Sequence, residues 1–105
     1  EDFQDFVSMG LVAARRTSEV VRDTAYVFAF ELICAAQAAD IRGAEKLSVH
    51  GRRTYELTRA IMPSYDCDVL IPPYVEEIAA QILAGKFAEV LTGAPVHALS
   101  QGQAR

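Results

Sequence analysis

The chain has no tryptophan, only two cysteines and no proline ahead of Pro63. Cys34 and Cys67 are isolated, so they form neither a disulfide framework nor a paired metal motif, and such usage fits a reducing cytoplasm. Cys34 lies inside an apolar run and reads as a small buried hydrophobe. There is no Gly-rich phosphate loop, no CxxC and no HExxH, so no self-contained active site is spelled out. Clustered basic residues are missing too. The pairs Arg15–Arg16 and Arg52–Arg53 stand in a chain of net charge −4 and pI near 5.0, which argues against nucleic acid as a partner, because phosphate binding needs concentrated Lys and Arg. No stretch alternates apolar and polar residues for the length of a strand, and the expected fold class is all-α. The chain opens EDFQDF, without the basic n-region and apolar h-region of a signal peptide. It also opens without Met, and is expected to be a piece cut or trimmed from something longer.

What is present is a long helical signal. With no proline to break them, residues 6–40 read as one helix of about 35 residues, or about 50 Å at about 1.5 Å rise per residue. Its second half, residues 26–39 (YVFAFELICAAQAA), holds only Glu31 and Gln37 as polar members. That run falls short of the roughly 20 residues of a bilayer span, and Glu31 interrupts it, so no membrane is expected. A compact domain of this size has a radius of gyration of about 13 Å. The helix is therefore too long, and apolar on too many sides, for the rest of the chain to cover. An obligate oligomer or a missing part of the same protein must cover it.

Along the chain, Asp5 or Ser8 is a candidate cap for this helix. Gly10, unfavourable inside a helix, marks a close crossing. Arg15, Arg16, Glu19, Arg22 and Asp23 form a solvated ion-pair face. Gly43 ends the helix by adopting the left-handed conformation, and residues 44–47 form a loop. Ser48 caps a second helix, 49–61, that Pro63 stops, with Leu57 and Ile61 as its apolar positions. Residues 64–70 are a turn-rich connection. Pro72 and Pro73 open a third helix in which Val75, Ile78, Ala79, Ile82 and Leu83 keep one apolar stripe. Gly85 closes it, a short helix 86–91 follows up to Gly93, and residues 94–105 form a flexible tail. The expected organisation is a long core helix with two or three shorter ones over residues 1–93, then the tail.

Candidate chemistry is sparse. His50 and His97 lack a second ligand at helical spacing, and Asp66-Cys67-Asp68 reads as a turn device, so no metal is expected. Glu31, if buried, must be paired or protonated, which leaves a structural bond to a neighbouring helix or a catalytic role. Phe3-Gln4-Asp5 places polar groups at a helix N-terminus, whose free N–H groups and positive dipole suit an anion such as an amino-acid carboxylate.

Gln4-Asp5-Phe6-Val7-Ser8-Met9-Gly10, then Ala13-Ala14-Arg15-Arg16, then Phe30-Glu31-Leu32-Ile33-Cys34-Ala35-Ala36-Gln37-Ala38-Ala39-Asp40-Ile41-Arg42 carry a resemblance. Over about residues 1–84 the chain resembles the C-terminal helical region of the aromatic amino-acid lyases and aminomutases: the histidine, phenylalanine and tyrosine ammonia-lyases and the tyrosine aminomutases. The FQDFVSMG wording is most similar to bacterial tyrosine aminomutases and tyrosine ammonia-lyases. The resemblance implies a mostly helical homotetramer whose long helices pack in a central bundle. It also implies an electrophilic cofactor, 4-methylidene-imidazol-5-one (MIO), made from an internal Ala-Ser-Gly. That tripeptide is absent from this chain. On this reading no catalytic residue lies in the fragment. Gln4 matches a family position that carries Glu or Gln beside the substrate, and Phe3 stands where many members have an amide, which suggests an aromatic pocket wall. The substrate implied is an aromatic amino acid. The fragment is expected to be inactive alone, supplying tetramer core and one edge of the active site. The alternative is a freestanding helical oligomerisation module without catalysis.

Overall fold

The computed structural model describes residues 2–93, with side chains from Met9 onward. It is all-α: α1 (Asp2–Arg42), a 3-10 turn (Ala44–Lys46), α2 (Val49–Ile61), α3 (Pro72–Leu83) and α4 (Glu89–Thr92). No strand occurs among the described residues. α1 is longer at both ends than the sequence pattern indicates. It begins at Asp2, so Asp5 and Ser8 lie within the helix rather than at its cap, and it runs two residues past Asp40. Gly43 stops it with φ of 107° and ψ of 101°, a positive-φ geometry more extended than the left-handed cap expected. An L side chain is strained there, and a Cβ would also collide with the Glu45 carboxylate. The expected loop 44–47 contains the 3-10 turn, and the last helix is the shorter Glu89–Thr92, ended by Gly93 at φ 70°.

The other helices follow their signals. Ser48 Oγ accepts from the Gly51 N–H at 3.1 Å, the cap expected for α2. Pro72 and Pro73 occupy the first turn of α3, where their missing N–H groups leave no helical bond unmade.

The core forms where α3 and α2 lie against the second half of α1. Ala25, Ala29 and Ile33 on α1 pack with Val75, Ile78 and Ala79 on α3, and Ala36, also buried, lies beside Thr54, Tyr55 and Thr58 of α2. Two of the three α1 positions facing α3 are alanine, which lets the two helices lie close. Met62, one residue past α2, closes the core at 1% exposure. Thr58 is the one buried polar residue among the described residues, and its hydroxyl is satisfied by donating to the Thr54 carbonyl at 2.9 Å.

The first half of α1 has no such partner. Every residue from 9 to 24 is exposed, and a Cβ on Gly10 would meet nothing within 4 Å, so no crossing occurs there among the described residues. The result is an extended shape of 61 × 41 × 18 Å with a radius of gyration of 18.1 Å. Met9, Leu11, Val12, Val20, Val21, Val27, Phe28 and Phe30 stand in solvent at 49–71% exposure. Glu31 and Cys34 are exposed as well, contrary to the expectation of burial, because the chain covers only one stripe of a helix that is apolar on several sides. The ion-pair face expected over residues 15–23 does not form. The single salt bridge among the described residues is Arg59–Asp40, and exposed pairs gain too little to hold long side chains in one geometry.

Ile78→Ala should cost about 2–5 kcal/mol, since it empties a site with 0% exposure, whereas Lys46→Ala on the exposed 3-10 turn should stay within about 0.5 kcal/mol. Urea unfolding of the two variants beside wild type checks the contrast.

Candidate functional site

Gln4 and Phe3, the sequence-derived substrate-binding candidates, fall in the first turn of α1; their side chains lie outside the described residues. His97 lies outside them as well. His50 is exposed in the first turn of α2, and Asp66, Cys67 and Asp68 are exposed in the connection before α3. Among the described residues no group of three or more His, Cys, Asp or Glu side chains comes together to hold a metal ion. Among the described residues, the structure therefore brings together no metal-binding group from those the sequence suggested.

It does assemble a polar knot that the sequence reading did not pair up. The Arg59 guanidinium, on α2, donates to Asp40 Oδ2 at 2.6 Å, to Gln37 Oε1 at 3.1 Å and to the Met62 carbonyl at 3.1 Å. Gln37 Nε2 then donates to the Tyr65 carbonyl at 2.7 Å, and the Tyr55 hydroxyl donates to Asp40 Oδ1. The guanidinium carbon also sits 5.8 Å from the Tyr55 ring centroid, within cation–π range. Arg59 Nε is buried without a partner. The knot joins the end of α1 to α2 and to the connection before α3. A second tie, Tyr26 Oη donating to Glu76 Oε2 at 2.7 Å, fastens α1 to α3. One signal for the knot was legible: Gln37 is polar inside an apolar run, and a shielded amide needs partners.

Beside the core runs an apolar groove of about 600 Å³, bounded by Phe28, Leu32, Ile82, Phe87 and Leu91, with Glu31 on its lip. This is where the structure places the carboxylate that sequence reasoning weighed for catalysis. It has no partner among the described residues.

A family profile described as "Aromatic amino acid lyase" matches residues 1–62. The chain belongs to the aromatic amino acid lyase family. Among its relatives, a tyrosine ammonia-lyase of Cupriavidus metallidurans is 36% identical over 96 residues, covering 90% of this chain and 18% of that protein. A histidine ammonia-lyase of Geobacillus sp. is 40% identical over 76 residues, covering 72% of this chain and 15% of the relative. An MIO-dependent tyrosine 2,3-aminomutase of Streptomyces globisporus is 35% identical over 91 residues, covering 86% of this chain and 17% of the relative. The chain thus spans less than a fifth of the length of these relatives. No solved structure matches it.

Within this lyase-family chain the knot is a fastening rather than a reactive centre. The hydrogen bond from Tyr55, with help from Arg59, holds the Asp40 carboxyl below the usual carboxylate range, although partial burial opposes it. The same bond to Asp40 raises the Tyr55 hydroxyl above its ordinary value. Tyr26 is raised in the same way, first by its bond to Glu76. A phenol that is harder to ionise stays protonated near neutrality, so both tyrosines hold their protons in these hydrogen bonds.

These shifts have a sign. Asp40, lowered, stabilises the native state above its ordinary pKa of about 4, and this is lost as pH falls through the lowered value; Tyr55, raised, stabilises below about 10, and this is lost as pH rises through the raised value. Tyr55→Phe should lower Tm across the neutral range and flatten both the acid and the alkaline limbs of Tm against pH. A Tm–pH curve superimposable on wild type would show that the knot carries no stability.

Proposed function

We propose that this chain is the C-terminal helical part of a tyrosine ammonia-lyase or tyrosine aminomutase, and that it supplies tetramer core and one edge of an active site completed by the rest of the protein. The observation that carries this reading is the match of residues 1–62 to the family together with similarity, over 86–90% of the chain, to relatives named for tyrosine chemistry. The bare arm of α1 supports the assembly half of the reading, because a helix exposing this many large apolar side chains needs covering. A freestanding oligomerisation module would share the arm but would not account for the family match.

On this reading the protein acts on an aromatic amino acid in the cytoplasm as a homotetramer, with neither nucleic acid nor membrane as a partner. The electrophile, MIO, would come from an Ala-Ser-Gly elsewhere in the full-length protein. The residues of this chain do not supply it, since the tripeptide does not occur in it. The chain's own contribution is confined to binding and assembly. Gln4, near the start of α1, offers an amide that can donate to a substrate carboxylate or accept from an ammonium without adding charge. Phe3 offers an aromatic wall to the ring. On this reading residues 1–93 are the helical region of the fragment; the tail expected over residues 94–105 lies outside the described residues.

In the full-length enzyme, Gln4→Ala should lower kcat/KM for tyrosine by about 10- to 100-fold, the equivalent of about 1.4–2.7 kcal/mol of transition-state contact, with Tm and assembly unchanged. Wild-type kcat/KM in that variant would reduce Gln4 to scaffold. The 105-residue chain alone should release no ammonia from tyrosine and form no β-amino isomer; turnover by chain of confirmed intact mass would defeat the assignment of roles.

A further inference from the structure

Residues 63–70, between α2 and α3, make no backbone–backbone hydrogen bond among the described residues. The one hydrogen bond they take part in there comes from Gln37 Nε2 to the Tyr65 carbonyl, at 2.7 Å. Pro63, Ser64 and residues 66–70 are exposed, and only Tyr65 is half-buried, packed against the core. Both ends of the stretch are fixed, by contrast. Met62 is 1% exposed; its N–H donates to the Thr58 carbonyl at 2.9 Å, and its carbonyl accepts from Arg59 at 3.1 Å. The Ile71 carbonyl accepts from the N–H groups of Tyr74 and Val75 at 3.0 and 3.2 Å. The stretch can therefore lift between its ends without parting the helices, and such local opening costs less free energy than global unfolding.

The bond to Tyr65 is set by a series of others. A guanidinium only donates and a backbone carbonyl only accepts. The Gln37 amide lies between the two, so it must turn Oε1 to Arg59 and Nε2 to the Tyr65 carbonyl. Arg59 is fixed in turn by Asp40 Oδ2 at 2.6 Å, and Asp40 Oδ1 takes the Tyr55 hydroxyl. The amide that holds the stretch is thus oriented by a cation, and the cation by a carboxylate.

We infer that residues 63–70 form a strap that opens as a unit while the helices stay packed, with the Gln37 side chain as its latch. Arg59 and Asp40 are positioning residues that act on the strap through Gln37. The strap and its latch lie wholly within the described residues and are independent of the reaction proposed above.

Chymotrypsin acting on the native full-length protein tests this. Cleavage after Tyr65 requires its ring to leave the core and enter the protease. Leu70, at 76% exposure, is open to cleavage with the strap closed and serves as the internal reference. When opening is fast relative to cutting, the ratio of the Tyr65 cut to the Leu70 cut, measured by mass spectrometry, follows the open population. Gln37→Glu keeps an acceptor for Arg59 but cannot donate to the Tyr65 carbonyl. It should raise the ratio about threefold to tenfold, the range expected for one lost hydrogen bond, with far-UV circular dichroism unchanged. Asp40→Asn should shift the ratio in the same direction and add nothing in the Gln37→Glu background. Tyr26→Phe, which cuts the separate tie between α1 and α3, should leave the ratio at its wild-type value. A Gln37→Glu protein with no cut after Tyr65, or with the wild-type ratio, overturns the latch. An equal rise in Tyr26→Phe overturns the strap as a separate unit, because general loosening then frees Tyr65. An additive effect in the double variant overturns the positioning role of Asp40.

Discussion

The structure depends on the burial of a narrow alanine-rich stripe on α1. Ala25, Ala29 and Ile33 offer a shallow surface on which α3 lies, Ile78, at 0% exposure, packs among them, and Ala36 carries the stripe on beneath α2. Burial of apolar area is the only large favourable term in this chain, at about 25 cal/mol per Å². It is confined to the second half of α1. The first half, exposed at every residue from 9 to 24, draws no support from tertiary packing. An isolated helix of that length is marginal in water, so its helicity leans on continuity with the packed half and on whatever covers it in the assembled protein.

The polar knot around Arg59 solves a different problem. Hydrophobic packing is weakly directional, and a stripe of alanines resists sliding poorly. The bonds from Arg59 to Asp40, Gln37 and the Met62 carbonyl are directional, and with the bond from Gln37 to the Tyr65 carbonyl they tie α1, α2 and the connection before α3 at one point. The ion pair within the knot, with side chains 11% and 24% exposed, is too accessible to add much net free energy. Its contribution is geometric: it fixes where α2 and the connection before α3 meet the end of α1.

The relatives clarify which properties can reside in this region. Proteins named for tyrosine and for histidine match it at similar identity, 35–40%. The similarity over this region therefore does not separate relatives named for tyrosine from those named for histidine. The chain covers 15–18% of those proteins. That share is consistent with a segment holding a packed helical corner and an uncovered arm, with no constellation of acid, base or metal ligands among its described residues.

The sequence by itself determined the all-α class, the uninterrupted first helix, the Ser48 cap, the paired prolines that open α3 and the apolar stripe of α3. All of these are set within a few residues of the signal that announces them. Its periodicity also showed that α1 is apolar beyond what one neighbour can cover. Only the tertiary structure decided which of α1's apolar sides is buried. Ala25, Ala29 and Ala36 look no more like core than Val20, Val27 or Phe28, and the selection is made by α2 and α3, further along the chain. For the same reason Glu31 and Cys34 are exposed where the local pattern suggested burial, and Arg59 finds Asp40 across 19 positions of sequence. Hydrogen bonds and packing between distant segments depend on where the backbones cross. Local periodicity sets only which residues share a face.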